Sequence, residues 1–231
     1  MTWELLDAQK FNGDVYDLYA KNKNLDHNFM IRVNGIELMN SEQARSEYIL
    51  GQLALEHCQA QGGQLLIGGL GIGFTLKQIL SQNKQYQKNI NITVSEISPI
   101  IKSWFSEHFK AWLDIQIDRV NIIIEDVFKG IQSKQYDVMC LDVDNGPSYL
   151  SLPDNKNLYT ETGLKIIFQH LTANGVCLIW SAYQEAALMR IAEQVGFDVE
   201  EIAVPLSDVS HFYEQYIYKL SKAEVSHQTK H

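Results

Sequence analysis

No apolar run in this sequence approaches the roughly 18 residues that a membrane span needs, and the opening Met1-Thr2-Trp3-Glu4 carries no signal-peptide pattern. Basic residues are scarce: 19 Lys and Arg stand against 28 Asp and Glu, a net charge of −9. Without a basic stripe to offset repulsion from phosphates, neither nucleic acid nor membrane is an expected partner. An acidic protein is a better host for cationic substrates. Cys58, Cys140 and Cys177 are isolated, odd in number and set among apolar residues, which predicts buried reduced thiols in a cytoplasmic protein. His57-Cys58 has no partner at ligand spacing, so no metal site is expected. G-x-x-x-x-G-K-[ST] and G-x-S-x-G are both missing, which removes nucleotide triphosphate loops and nucleophile-elbow hydrolases.

What remains is a chain of 231 residues, 45% hydrophobic, long enough for one large domain with a small appendage. Trp3–Leu6, Val15–Tyr19 and Asn28–Val33 read as short strands, with Asn12-Gly13-Asp14 and Asn34-Gly35 as turns. This N-terminal antiparallel segment takes residues 1–40, and a helix follows from about Ser41, its expected N-cap, to His57. From Gln64 the pattern alternates, with strands expected at 64–68, 91–96, 120–124, 136–142 and 175–180 and helices at 73–83, 98–109, 160–171 and 182–194. Ser98-Pro99 is a cap and first-turn pair. Near-continuous apolar strands separated by helices predict a parallel sheet covered on both faces. Val199–Val204 and Phe212–Tyr218 flank a loop containing Pro205 and no helix, so they are expected to pair antiparallel. The expected fold is therefore α/β and Rossmann-like, over residues 41–222. Its sheet has seven strands, mostly parallel, closed by a C-terminal antiparallel hairpin, and 223–231 form a frayed tail.

The most informative stretch is Gln64–Leu76, QLLIGGLGIGFTL, followed by Ile92-Thr93-Val94-Ser95-Glu96. A strand ends in a turn holding Gly68, Gly69, Gly71 and Gly73, and the next strand ends on an acid. That is a backbone thin enough for a ligand to lie on, with a carboxylate placed to accept both hydroxyls of a ribose. The dinucleotide spacing fails, because Phe74 and Leu76 stand where a third glycine is needed. The remaining G-x-G-x-G does not shape a pyrophosphate cradle, so an adenosyl ligand without phosphates is favoured, such as S-adenosylmethionine.

Ligands in open parallel sheets lie beyond the carboxyl ends of the strands. There the sequence offers Glu125-Asp126 after the third strand and Asp142-Val143-Asp144 after the fourth. Asp126 suits an exocyclic adenine amine, and it equally suits the cap of a helix over 127–133. Asp142 and Asp144 suit a cationic amine and the proton it loses on attack, or an acidic turn before Gly146-Pro147. Trp180 and Tyr183 adjoin the same edge. His108 and His170 are expected near helix C-termini, where the dipole favours imidazolium.

Together these residues resemble the spermidine synthase family, polyamine aminopropyltransferases on a class I methyltransferase-type fold. The resemblance runs through LLIGGLGIGFTLKQIL, ITVSEISPII, NIIIEDVF, YDVMCLDVDNGPSYL and LYTETGLKIIFQHLTANGVCLIWSA. It implies that the glycine turn and Glu96 bind the nucleoside, that Asp126 contacts adenine, and that Asp142 deprotonates the attacking amine. Asn157-Leu158-Tyr159-Thr160 matches the family's segment before the helix that follows the active-site loop. The chain departs from the pattern at three points. Gly71 stands where the family's GGGDGG turn has its aspartate, D-x-x-D-P is shortened to Asp142-Val143-Asp144-Asn145, and Arg45-Ser46-Glu47-Tyr48 replaces Y-H-E. Three functions are consistent with this pattern. One is transfer of an alkyl, aminopropyl-type group from decarboxylated S-adenosylmethionine to a small amine. Another is methyl transfer from S-adenosylmethionine. The third is a non-catalytic nucleoside-binding or scaffold protein. A homodimer through the N-terminal sheet is plausible for any of them.

Overall fold

The computed structural model describes residues 2–23, 26–117, 119–143, 157–207 and 210–223. β1 (Glu4–Phe11), β2 (Asp14–Lys23), β3 (Asp26–Val33) and β4 (Ile36–Asn40) form an antiparallel sheet in sequence order. Asn12 and Asn34 adopt left-handed φ of 52° and 53°, each followed by a glycine at positive φ, and so close the β1–β2 and β3–β4 hairpins. β4 is a fourth strand beyond the three expected. Glu37 and Asn40 give it little strand character of its own, and pairing with β3 decides its conformation. Ser41 does not cap the first helix. Its hydroxyl accepts the Phe29 backbone N–H at 2.8 Å and fastens the end of β4 to β3. α1 (Arg45–His57) begins later, behind Ala44 and without a side-chain cap.

The second sheet contains β5 (Gln61–Gly68), β6 (Asn89–Glu96), β7 (Val120–Ile124), β8 (Tyr136–Leu141), β9 (Leu171–Ser181), β10 (Phe197–Ser207) and β11 (Ser210–Lys222). Its order is β10-β11-β9-β8-β5-β6-β7. β5 to β9 are mutually parallel, and the β10–β11 hairpin joins β9 antiparallel, as expected. Both hairpin strands outrun their apolar centres. Pro205 lies within β10 rather than in a loop; β10 is the edge strand, where a missing N–H is tolerated, and the pairing shifts register just after it.

The crossovers are α2 (Phe74–Tyr86), α3 (Pro99–Trp104), α5 (Val127–Gln132), α6 (Glu161–His170) and α7 (Ala186–Val195). α3 continues through a π-helical turn, Phe105–Phe109, into α4 (Lys110–Trp112), so His108 lies inside this helical segment rather than at its end. Ser98 caps α3 as expected, accepting from Ile101 N at 3.4 Å. α7 starts after the expected position: β9 runs to Ser181, and residues 182–185 turn before Ala186, with Glu185 N held by the Tyr218 hydroxyl at 2.6 Å.

Side chains of the central strands alternate between two cores. Leu65, Ile67, Val138 and Cys140 pack under α1, α2 and the N-terminal sheet, with Leu18, Phe29 and Ile31. Leu66, Met139, Leu141 and Cys177 pack under α5, α6 and α7. All three cysteines are buried and free, and burial pushes the Cys58 thiol up to about 11. Trp104, Phe105 and Phe109 are fully buried, each contributing on the order of 2 kcal/mol. Trp104 Nε1 also donates to Asp7 Oδ2 at 2.8 Å, pinning the first sheet onto α3.

Candidate active site

The order of the large sheet reverses between β5 and β8, and there a cavity of about 270 Å³ opens at the carboxyl ends of the strands. Its floor comes from the loops after β5, β6, β7 and β8, and its roof from β2 and β4 of the first sheet.

The four glycines of the turn divide in role. Gly69 and Gly71 line the cavity, with φ of +89° and +51°. Gly68 and Gly73 do not line it. A side chain at Gly68 would run into Val127 and Leu141, and one at Gly73 would meet the Phe105 ring at 2.7 Å. Both are small so that helices can pack closely on the sheet. Gly69 also packs tightly, against the Asp142 carbonyl, while Asp142 N donates to Gly68 O at 2.9 Å. The glycine turn and the Asp142 loop therefore hold each other in place.

Glu96 ends β6, 6% exposed, on the cavity wall. Its Oε2 accepts Leu70 N and its Oε1 accepts Ser98 N, both at 2.8 Å, which ties the glycine turn to the start of α3. Burial raises its pKa above the usual carboxylate range, and the backbone donors partly offset this. Asp126 also lines the cavity while Oδ1 caps α5 through Phe128 N at 2.7 Å, so one side chain both caps a helix and faces the cavity. Glu125 is turned by the Ser95 hydroxyl at 2.9 Å. Asp142 lines the cavity just beyond β8; Asp144 lies outside the described residues. Trp180 contributes to the wall, whereas Tyr183 is 49% exposed and does not.

Several contributors come from outside the βα units and were not among the expected site residues, Glu47, Tyr16 and Met39 among them. Glu47, on the first turn of α1, is buried at the cavity; its Oε2 accepts the Ser46 hydroxyl at 2.6 Å. Ser46 in turn accepts Trp180 Nε1 at 2.9 Å, a chain of bonds joining α1 to the end of β9. Tyr16 on β2 and Met39 on β4 close the roof. An acid in the first turn of the helix preceding the glycine strand was the available signal for Glu47. Among the described residues no histidine lines the cavity: burial and nearby Lys219 lower the pKa of His57 at the end of α1, and His170 at the end of α6 bonds the Ile166 carbonyl oxygen at 2.8 Å.

The cavity is thus lined by Glu37, Glu47, Glu96, Glu125, Asp126 and Asp142, and among the described residues no Lys, Arg or His lines it. Such a site suits a cation-bearing ligand with hydroxyl and amine donors.

The spermidine synthase from Thermotoga maritima superposes with a TM-score of 0.71 at 14% identity, over 95% of this chain and 72% of that one. A spermidine synthase in complex with the transition state analogue AdoDATO gives 0.69 at 14% identity, with the same coverage. This chain has the spermidine synthase fold. The same Rossmann-like core extends to human methyltransferase-like protein 13 in complex with SAH, with a TM-score of 0.55 at 19% identity, over 79% of this chain and 82% of that one. At these identities the likeness is one of fold. No family profile and no curated protein matches the sequence. Among the described residues no helix is long and apolar enough to cross a membrane.

Proposed function

We propose that the protein is a transferase that moves an alkyl, aminopropyl-type group from an S-adenosylmethionine-derived sulfonium donor to a small amine. The observation that carries this reading is the wall of six carboxylates without a basic residue among those described. A phosphorylated or acidic substrate would be repelled there, whereas a sulfonium and an ammonium are both attracted. Glu96 is the partner for the ribose hydroxyls, and Asp126 for the adenine amine. Asp142 orients the acceptor and takes the proton that its nitrogen loses as the new N–C bond forms and the C–S electron pair returns to sulfur. A sulfonium is already a good leaving group, so the protein's work is positioning and exclusion of water. The residues fit such a donor: the bare backbone of Gly69 and Gly71 lines the cavity, and the Glu96 carboxylate is held on the wall beside them. The lack of a cation in the described lining favours decarboxylated S-adenosylmethionine, whose tail has no carboxylate to neutralise. The setting we assign is the cytoplasm, with reduced thiols and a homodimer as the working assembly.

A second reading, methyl transfer from S-adenosylmethionine, is favoured by Gly71, which supplies no carboxylate for an aminopropyl ammonium. Calorimetry with the two donors separates these readings: a site for the decarboxylated form binds S-adenosylmethionine more weakly. Asp142→Asn abolishes turnover and leaves nucleoside affinity within a few fold; turnover that survives it rules out Asp142 as the base. If no adenosyl ligand raises the melting temperature, a non-catalytic scaffold is the right account.

A further inference from the structure

We infer that Met39 fills the seat of the donor's sulfonium side arm, so that the pocket admits adenosine with a short 5′ substituent and takes a longer arm only by displacing this side chain. The inference rests on the adenosyl reading above and names what a donor's arm must displace to enter. Glu96 is bonded to Leu70 N and lines the same cavity as Gly69, Gly71 and Met39, so the 5′ arm of a nucleoside held by Glu96 lies within reach of that turn. The space over that turn is taken by Met39. A Cβ built on Gly71 would lie 2.7 Å from both its Sδ and its Cε, so the thioether rests against the bare backbone. Cγ, Sδ and Cε fill the space of most of an aminopropyl chain, and the two cannot share the seat.

Two further features mark this side chain as placed and displaceable. The β3–β4 pairing runs Ile31↔Met39 and then Arg32↔Glu37, leaving Leu38 as an extra residue. A bulge of this kind re-aims the neighbouring side chain, and bulges gather beside active sites. The sulfur of Met39 accepts the Ile72 backbone N–H at 3.1 Å. A thioether is a weak acceptor, so this N–H is held by a partner that a carboxylate oxygen of a ligand arm or a water readily replaces. Met has three rotatable bonds and no branch, which makes the swing cheap.

The test is titration calorimetry of the wild type, Met39→Ala and Met39→Leu with 5′-methylthioadenosine, S-adenosylmethionine and decarboxylated S-adenosylmethionine. The wild type is expected to bind the short-armed ligand at least about tenfold more tightly than either long-armed one. Met39→Ala narrows that gap to within about threefold by strengthening the long-armed ligands, and Met39→Leu, of similar volume, keeps the wild-type order. Met39→Val is read as Met39→Ala should the alanine variant not fold, with the melting curve as the check. A gap that Met39→Ala leaves unchanged, or that Met39→Leu closes equally, overturns the inference while the adenosyl reading stands. If none of the three ligands binds any of these proteins, the adenosyl reading itself falls and takes the inference with it.

Discussion

Glu47 stands 6% exposed at the cavity, and among the described residues no Lys, Arg or His forms an ion pair with it. Its hydrogen-bond partners are the Ser46 hydroxyl and its own backbone N–H. Burial raises its pKa above the ordinary 4.5, more than these bonds lower it. The sign of the consequence follows from proton counting. The native state holds the Glu47 proton to higher pH than the unfolded chain, so stability falls as pH rises from about 4.5 through the raised native value, and levels off above it. Glutamine keeps the shape and the Ser46 bond without the charge. Glu47→Gln is therefore expected to melt with the wild type near pH 4 and above it by pH 8, by about 2–4 °C for each kcal/mol relieved. Melting curves across this range decide it; a difference independent of pH would show that burial of charge is not the cost. A cation bound in the cavity supplies the missing partner, so an amine ligand should flatten the wild-type pH dependence. A buried acid with no cationic partner in the free protein is the arrangement expected of a site that takes up a cation.

Asp126 couples a helix end to the cavity, and its two roles separate by substitution. Serine still caps α5 through Phe128 N, whereas alanine does not. Asp126→Ala is expected to lose about 1 kcal/mol of stability and to weaken adenosine binding. Asp126→Ser loses the binding but little of the stability. Equal adenosine affinity for wild type and Asp126→Ser would leave the cap as the residue's only task. Elements of this kind were legible in the sequence because strand period and the βα alternation are local. Once β5, β6, β7 and β8 are recognised, geometry sends Gly69, Glu96, Asp126 and Asp142 to one edge without further information. Element ends were less legible, since they answer to partners far along the chain. Ser41 has the chemistry of a cap, but Phe29 N takes it, and Ala186 starts α7 although helix-forming residues precede it. Gly68 and Gly73 look like ligand-binding glycines and are small for Val127 and Phe105 instead. Tyr16 and Met39 were not foreseeable as site residues, and Glu47 only from its place in the first turn of the helix before the glycine strand, because docking of the first sheet and α1 over the cavity depends on contacts such as Trp104–Asp7 and Trp180–Ser46.

The charge of the entire chain, −9, has the same sign as the cavity wall, so the field outside the cavity steers a cation toward it as well as holding it there. The six wall carboxylates come from β4, α1, β6, the two positions after β7 and the loop after β8, which means that only the assembled molecule creates the potential. Salt is the lever that tests this, because at 0.1 M interactions beyond about 10 Å are largely screened, which weakens steering first. A small diamine and neutral 5′-methylthioadenosine serve as paired probes of one cavity. Between about 0.02 and 0.3 M salt the diamine's affinity is expected to fall about tenfold, chiefly through a slower association rate. The nucleoside, bound by hydrogen bonds and apolar contact, should change by less than about twofold. Stopped-flow association and calorimetry measure the two quantities separately. If both ligands respond to salt alike, the acidic wall is not what selects the cation, and the proposed amine specificity loses its physical basis.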